Sequence, residues 1–333
     1  MLDSEGTAQE GVMKAFQFAN VEEGLRLKDV PTPRCPPGEV VVLVEATGIC
    51  HSDAHVLKGQ GDSWLSKRPI TLGHEVAGTV AEAGPDVSDF KVGDRVGVAL
   101  VPTSDEDWNH IIGVGRDGGY AEKVVVPSRV LVPLPEGVNF AQAAVASDSI
   151  ATAYHAVVAE ASVTATTTVA IVGIGGLGLN GVRIAALRGA TVYGVDIDEK
   201  KFPDALAQGA KACFRKLLDI PRDVVIDVVV DFAGVGVTTQ DALQRVKASG
   251  TVVLVGLGVP SFELSSHTLM LRSLTLRGSR GATLAEYREV LKLIAAGDIV
   301  PKLTEVPFST IPESLQRLER LEVVGRLFAK PNA

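Results

Sequence analysis

From Met13 to about Pro133 the chain alternates short, β-branched apolar runs with glycine and proline, at 39–46, 76–82, 94–101 and 121–126. Runs of that length, each closed by turn formers, predict a barrel or sandwich of antiparallel strands. Near Asn139 the pattern changes. Residues 140–160 are rich in alanine, place apolar positions at helical spacing and contain neither glycine nor proline, so a helix and a domain edge are expected there. From Thr166 onward strands (167–172, 191–196, 224–231, 251–255) alternate with helices (178–188, 200–209, 238–246). Such alternation predicts a parallel, doubly wound sheet. Beyond Gly278 a further helix at 284–296 precedes an alternating tail, expected to return to the first domain. The expected class is α/β plus β, with boundaries at 1–150, 151–281 and 282–333.

Composition changes this picture little but narrows function. The chain has 333 residues, 46% apolar and 22% charged, which suits about two globular domains. No apolar run approaches the roughly 18–20 residues that cross a bilayer. Residues 1–11 are acidic and polar where a secretory leader would be basic and then apolar, so a soluble, cytoplasmic protein is expected. A net charge of -8 without a long basic cluster argues against nucleic acid as a partner. The three cysteines, Cys35, Cys50 and Cys213, are odd in number and far apart, which fits reduced thiols or a metal ligand better than a disulfide framework. Cys35 reads as an inert edge thiol and Cys213 as packing in a strand.

The run VAIVGIGGLG sets Gly173, Gly175 and Gly178 in G-x-G-x-x-G spacing, with Gly176 and Leu177 between, after an expected strand and before an expected helix. The first glycine permits a tight turn, the second a close approach to pyrophosphate, the third close helix packing, and the helix N-terminus faces the anion. Asp196 ends the next strand, where a carboxylate can accept from an adenosine ribose and repel a 2'-phosphate, so NAD(H) is expected over NADP(H). The alternative is that Asp196 caps the following helix, a task Asp198 could also perform. Lys201 could flank the adenine side. Val255, Gly256 and Leu257 end the last strand of this region and are expected toward the nicotinamide.

Residues 48–55, GICHSDAH, gather a thiol, a hydroxyl, a carboxylate and two imidazoles, and His74 and Glu75 follow downstream in GHE. Thiolate and imidazole are natural zinc ligands, and a catalytic zinc takes three protein groups. With GHE-x-x-G-x(5)-G-x-x-V from Gly73 to Val87, GDRV at Gly93 and GGYAE at Gly118, the chain resembles the zinc-containing medium-chain alcohol dehydrogenase family from about Val12 to its end.

The resemblance implies a GroES-like catalytic domain with a Rossmann nucleotide domain inserted. It implies Cys50 and His74 as zinc ligands, Asp53 as the partner of His74, and Glu75 as a nearby carboxylate able to swing onto the metal. The third ligand in much of the family is a cysteine, and Asp148 stands at that position; Asp148 either ligates zinc through oxygen or caps its helix, with Ser149 and Thr152 beside it. Many relatives hold a structural zinc on four cysteines between GDRV and GGYAE. Residues 97–116 contain no cysteine, so one catalytic zinc and no structural zinc are expected.

By the same resemblance Ser52 and His55 relay the alcohol proton to solvent, His51 sits near the pyrophosphate, and Arg326 either binds the pyrophosphate or closes the tail as a surface residue. His155 and His267 read as structural, and Trp64, Trp108 and residues near Ile111 as candidates for the cleft wall. The implied function is a zinc-dependent alcohol dehydrogenase or ketone reductase, exchanging hydride between NAD(H) and an alcohol, aldehyde or ketone. The expected assembly is a homo-oligomer, a dimer or tetramer. Two other readings remain: a metal-free reductase of an activated alkene or iminium, and a nucleotide-binding sensor or structural subunit without turnover.

Overall fold

A computed structural model describes residues 11–101 and 108–333. The expectations for 1–11 and for the 97–116 stretch fall partly outside the described residues. The chain packs as two bodies. One comprises the described residues up to Asp148 with Thr283–Leu291 and Lys302–Ala333, the other Ser149–Ala282 with Lys292–Pro301.

In the first body β1 (Val12–Phe18) pairs antiparallel with β2 (Leu25–Pro31), and across its other edge with a two-residue strand, Ile70–Thr71. The long β3 (Glu39–Ile49) carries alternating Val40, Val42 and Val44 into a buried core, the two-residue repeat of a strand with one apolar face. With Ile70–Thr71 as β4, the next strand β5 (Val76–Ala83) pairs antiparallel with β3 and with β6 (Arg95–Val98). β7 (Lys123–Pro127) pairs with β3, and β8 (Leu131–Pro133) with β6. The antiparallel expectation therefore holds for this core, although β6 is shorter than the 94–101 run. A second cluster, including Phe16, Phe18, Ile49, Val56 and Leu72, buries one face of the helix His51–Leu57.

In the second body β9 (Thr168–Val172), β10 (Thr191–Val195), β11 (Ala212–Phe214), β12 (Val228–Asp231), β13 (Thr251–Leu254) and β14 (Thr275–Gly278) form one parallel sheet in the order β11-β10-β9-β12-β13-β14. Helices Gly178–Leu187, Phe202–Ala207 and Val237–Arg245 lie between successive strands. β9 and β12 are almost wholly buried, as parallel strands covered on both faces must be. The strand order reverses between β9 and β12, and a crevice outside the carboxyl ends of the strands is the usual ligand position at such a point. The 224–231 run yields strand only from Val228, because Val224 turns back to bond Pro221 O.

The return is interrupted. The helix Leu284–Ala295 begins with the first body, but 292–301 packs with the second, where Arg183 Nε donates to Asp298 O at 2.6 Å. The chain ends in β15 (Leu303–Glu305) and β16 (Arg326–Ala329), the latter antiparallel to β3. Among the described residues no helix is long and apolar enough to cross a membrane.

Candidate metal centre and dinucleotide loop

Three chain segments of the first body converge on one buried point. β3 delivers Cys50 to the N-cap of the helix His51–Leu57, the turn between β4 and β5 delivers His74, and the helical stretch from Phe140 delivers Asp148. That stretch is not a regular helix. Phe140–Val145 is α-helical, Ala146–Ile150 forms a π turn, and Ala151–Tyr154 resumes the α form. A π turn adds a residue to the helical register and is frequent at functional sites. Here it carries Asp148. The cap reading of Asp148 is overturned: the N-cap is Asn139, whose Oδ1 accepts from Gln142 N at 2.9 Å while Gln142 Oε1 accepts from Asn139 N at 2.9 Å.

Cys50 Sγ donates to Asp148 Oδ2 at 3.3 Å, and His74 Nε2 stands 3.6 Å from the same oxygen. All three ligand atoms lie within 4.8 Å of one another and all three residues are buried. A tetrahedral zinc bound to S, N and O would separate such atoms by roughly 3.3–3.7 Å, so the donor set fits that ion in chemistry and the two separations at Asp148 Oδ2 fit it in length. Ser52 Oγ lies 3.4 Å from His74 Nε2, on the metal-facing side of the ring.

Behind these ligands the site is ordered by charge. Asp53 Oδ1 faces His74 Nδ1 at 3.4 Å, and Tyr120 donates its hydroxyl to Asp53 Oδ2 at 2.6 Å. Burial alone would disfavour a charged His74, but Asp53, Asp148 and Cys50 outweigh it and hold its pKa well above the usual imidazole range. Glu75 is fully buried beside Arg326, with which it forms an ion pair. Burial pushes the Glu75 carboxyl up to about 7 against the opposing pull of Arg326. Gly48 makes room for Glu75, since a Cβ there would overlap the Glu75 carboxylate.

Arg326 is 5% exposed, so the reading of a surface arginine is overturned. Its guanidinium bonds Glu75 and reaches Cys50 Sγ at 3.9 Å. His51 is half-buried, and burial, then the neighbouring His55 ring 5.2 Å away, lowers its pKa. Gln60 Oε1 lies 2.7 Å from His55 Nδ1.

In the second body Gly173 takes φ +82 at the end of β9, a conformation suited to glycine, and a Cβ at Gly178 would overlap the Gly173 carbonyl. Asp196 is buried at the end of β10, where Oδ2 accepts from Ile174 N at 2.8 Å and Oδ1 from Asp198 N at 2.9 Å. Lys201 Nζ bonds both oxygens, at 3.1 and 2.9 Å. The helix cap here is Asp198, which accepts from Lys200 N, whereas Asp196 bonds the glycine turn at Ile174 N, the Asp198 N–H and Lys201. The nitrogens of Val255 and Gly256 both donate to Asp231 O, and Leu257 is exposed.

Several residues the sequence reading passed over carry this geometry. Asp231 is fully buried and accepts from Ala233 N, Gly234 N and the Thr238 and Thr239 hydroxyls. Tyr120 lies in the quoted GGYAE run, but its partner is distant in sequence. Outside the site Cys35 donates to Glu39 O at 3.3 Å, His155 pairs with Glu160 at 3.3 Å, and Trp108 Nε1 donates to Trp64 O at 2.9 Å.

Comparison with known proteins bears on both bodies. The alcohol dehydrogenase GroES-like domain matches residues 36–136, and the zinc-binding dehydrogenase domain matches 176–296. An alcohol dehydrogenase of Geobacillus stearothermophilus is 30% identical over 96% of this chain and 99% of its own length. An NAD-dependent alcohol dehydrogenase of Saccharolobus solfataricus is 29% identical, covering 94% of this chain and 99% of its own. Among solved structures, acetophenone reductase from Geotrichum candidum in complex with NAD superposes with a TM-score of 0.88 at 31% identity, covering 98% of both chains. On its two domains and its full-length relatives, the chain belongs to the zinc-containing medium-chain alcohol dehydrogenase family.

Proposed function

We propose that the protein is a zinc-dependent, NAD(H)-linked alcohol dehydrogenase or ketone reductase, holding one catalytic zinc on Cys50, His74 and Asp148 and no structural zinc. The observation that carries this reading is the convergence of these three buried donors within 4.8 Å of one another. The absence of cysteine from 97–116 supports the single metal. Bound there, zinc supplies Lewis-acid polarisation of an alcohol or carbonyl oxygen, and the nicotinamide supplies hydride exchange.

The chain's own residues do the rest. Cys50 and Asp148 contribute two negative charges and His74 a neutral nitrogen, so a divalent ion is neutralised without further anions. Ser52 Oγ stands beside the ligand atoms and takes up the alcohol proton; His55, three residues on along the same helix face, passes it to solvent. Asp53 orients His74, and Glu75 stands in reserve as a carboxylate near the metal. Gly173, Gly175, Gly176, Leu177 and Gly178 form the pyrophosphate turn. Asp196, with Lys201 beside it, accepts from the adenosine ribose and repels a 2'-phosphate, which favours NAD(H) over NADP(H). Val255, Gly256 and Leu257 serve the nicotinamide side, and His51 and Arg326 the pyrophosphate.

Residues 151–281 make up the nucleotide domain, between catalytic segments 1–150 and 282–333, the latter lending 292–301 to the nucleotide body. The protein is cytoplasmic and a homo-oligomer, a dimer or tetramer. The edge of β14, unpaired among the described residues, and the exposed Met270 and Leu271 before it support self-association. The test is metal content per chain on protein purified without chelator, with NADH oxidation assayed against a panel of ketones and aldehydes. One zinc per chain, activity lost on chelation and regained with zinc, and both lost in Cys50→Ala support the reading. Zinc-free protein that still turns over would refute it in favour of a metal-free reductase.

A further inference from the structure

Tyr120 is fully buried, as is the carboxylate it bonds. Three backbone bonds lay 118–120 against the segment that ends in His74: Gly118 N to Thr71 O at 2.8 Å, Gly119 N to Gly73 O at 2.7 Å and Tyr120 N to Leu72 O at 2.9 Å. The phenol then crosses to the helix that starts at Cys50 and bonds Asp53 Oδ2 at 2.6 Å, while Asp53 Oδ1 stands at an ion-pair distance of 3.4 Å from His74 Nδ1, which has no hydrogen-bond partner among the described residues. One residue thus ties the segments bearing two of the three candidate ligands. Gly73, at φ +91, leaves the ring its space, since a Cβ there would strike the ring.

Resting on the zinc-site reading above, we infer that Tyr120 is a positioning residue for the metal centre: its hydroxyl fixes the Asp53 carboxylate, and that carboxylate fixes the orientation and tautomer of His74. A buried carboxylate needs hydrogen-bond donors, and the phenol supplies one on the side away from the imidazole. With Oδ2 occupied, Oδ1 is left to accept the Nδ1 proton, which turns the Nε2 lone pair toward Cys50 and Asp148. Without the hydroxyl, Asp53 is free to rotate, and His74 loses the partner that sets its tautomer. Burial, reinforced by Asp53, raises the phenol pKa far enough that it remains a donor at any working pH.

Tyr120→Phe removes one oxygen and keeps the ring. Zinc affinity is measured on the purified chain by competition with a chromophoric chelator, together with the His74 tautomer by nitrogen-15 NMR. The expected result is about tenfold weaker zinc binding, the lower end of what loss of an outer partner costs a metal site, with NADH affinity unchanged. Asp53→Asn should weaken zinc at least as much, and the double variant no more than Asp53→Asn alone, because both changes cut one chain of bonds. Wild-type zinc affinity in Tyr120→Phe, or losses that add in the double variant, would overturn the inference. Tyr120→Met, which fills the space without a hydroxyl, stands in if Tyr120→Phe does not fold. If neither folds, Tyr120 is a core residue and the positioning role falls. A wild-type chain that binds no zinc fails differently: it removes the metal reading itself, and this inference with it.

Discussion

Removing the Arg326 guanidinium separates two roles that the chain could give it. Arg326 and Glu75 are both buried and form an ion pair, and among the described residues Glu75 Oε2 and Arg326 Nε have no hydrogen-bond partner. In Arg326→Met the Glu75 carboxylate loses its counter-charge in a place where water cannot replace it. Breaking one side of such a pair costs about 3–5 kcal/mol, whereas replacing both sides by apolar groups is close to neutral. For a body of this size 1 kcal/mol is worth about 2–4 °C in Tm, so the single variant should melt about 6–20 °C lower. Arg326→Met with Glu75→Met should recover most of that loss.

The assay is thermal unfolding of wild type, both single variants and the double variant, with metal content held constant, and NADH affinity measured on each. A coupling of at least about 2 kcal/mol between the two positions is the signature of the pair. If Arg326→Met keeps its Tm and loses only NADH affinity, the guanidinium serves the pyrophosphate and the buried-pair argument is wrong. Loss of both would mean that one side chain fills both roles.

Three further outcomes are expected. Asp196→Ala should weaken NADH binding by roughly tenfold to a hundredfold, the worth of a hydrogen bond to a charged group, and narrow the gap to NADPH; titration of both cofactors checks it, and an unchanged ratio removes Asp196 from the ribose site. Gly48→Ala forces a methyl group into the Glu75 carboxylate and should cost about 1–3 kcal/mol of stability by overpacking, less in a Glu75→Ala background; equal losses in both backgrounds would refute the contact. Asp227 is pushed up by burial, but Lys247 at 2.6 Å and the Thr168 N–H hold its pKa below the usual carboxylate value. A depressed folded pKa gives stability that is present above the unfolded value and lost as pH falls through the folded one. Wild type should therefore lead Asp227→Asn in Tm at pH 7, by under about 1 kcal/mol for so solvated a pair, and lose that lead as the pH falls below the usual aspartate range. A lead that persists in acid would be against it.

What the sequence disclosed and what it hid divide along the range of the interactions involved. The doubly wound sheet was legible because parallel strands covered on both faces are continuous apolar runs, as in β9 and β12, and because the glycine turn and Asp196 act within a few tens of residues. Cys50 and His74 were legible for a different reason, resemblance to a family, since nothing in their spacing alone brings them together. Tyr120, Gly48 and the Arg326–Glu75 pair were not legible: each works by a contact across the first body, between segments that only the antiparallel sheet aligns.

Asp148 shows the limit most clearly. In sequence it lies in an unbroken alanine-rich helical pattern, and the competing explanation of an acidic residue beside Ser149 and Thr152 is a cap. The choice turns on two local facts that apolar periodicity does not report. Asn139 already closes the helix start with Gln142, so no terminus is left for Asp148 to cap. The π turn at Ala146–Ile150 then breaks the regular register at the point where Asp148 must leave the helix surface and meet Cys50 and His74. On the zinc-site reading, deleting Ser147 from this turn should carry Asp148 away from Cys50 and abolish zinc binding, although Cys50, His74 and Asp148 all remain in the sequence.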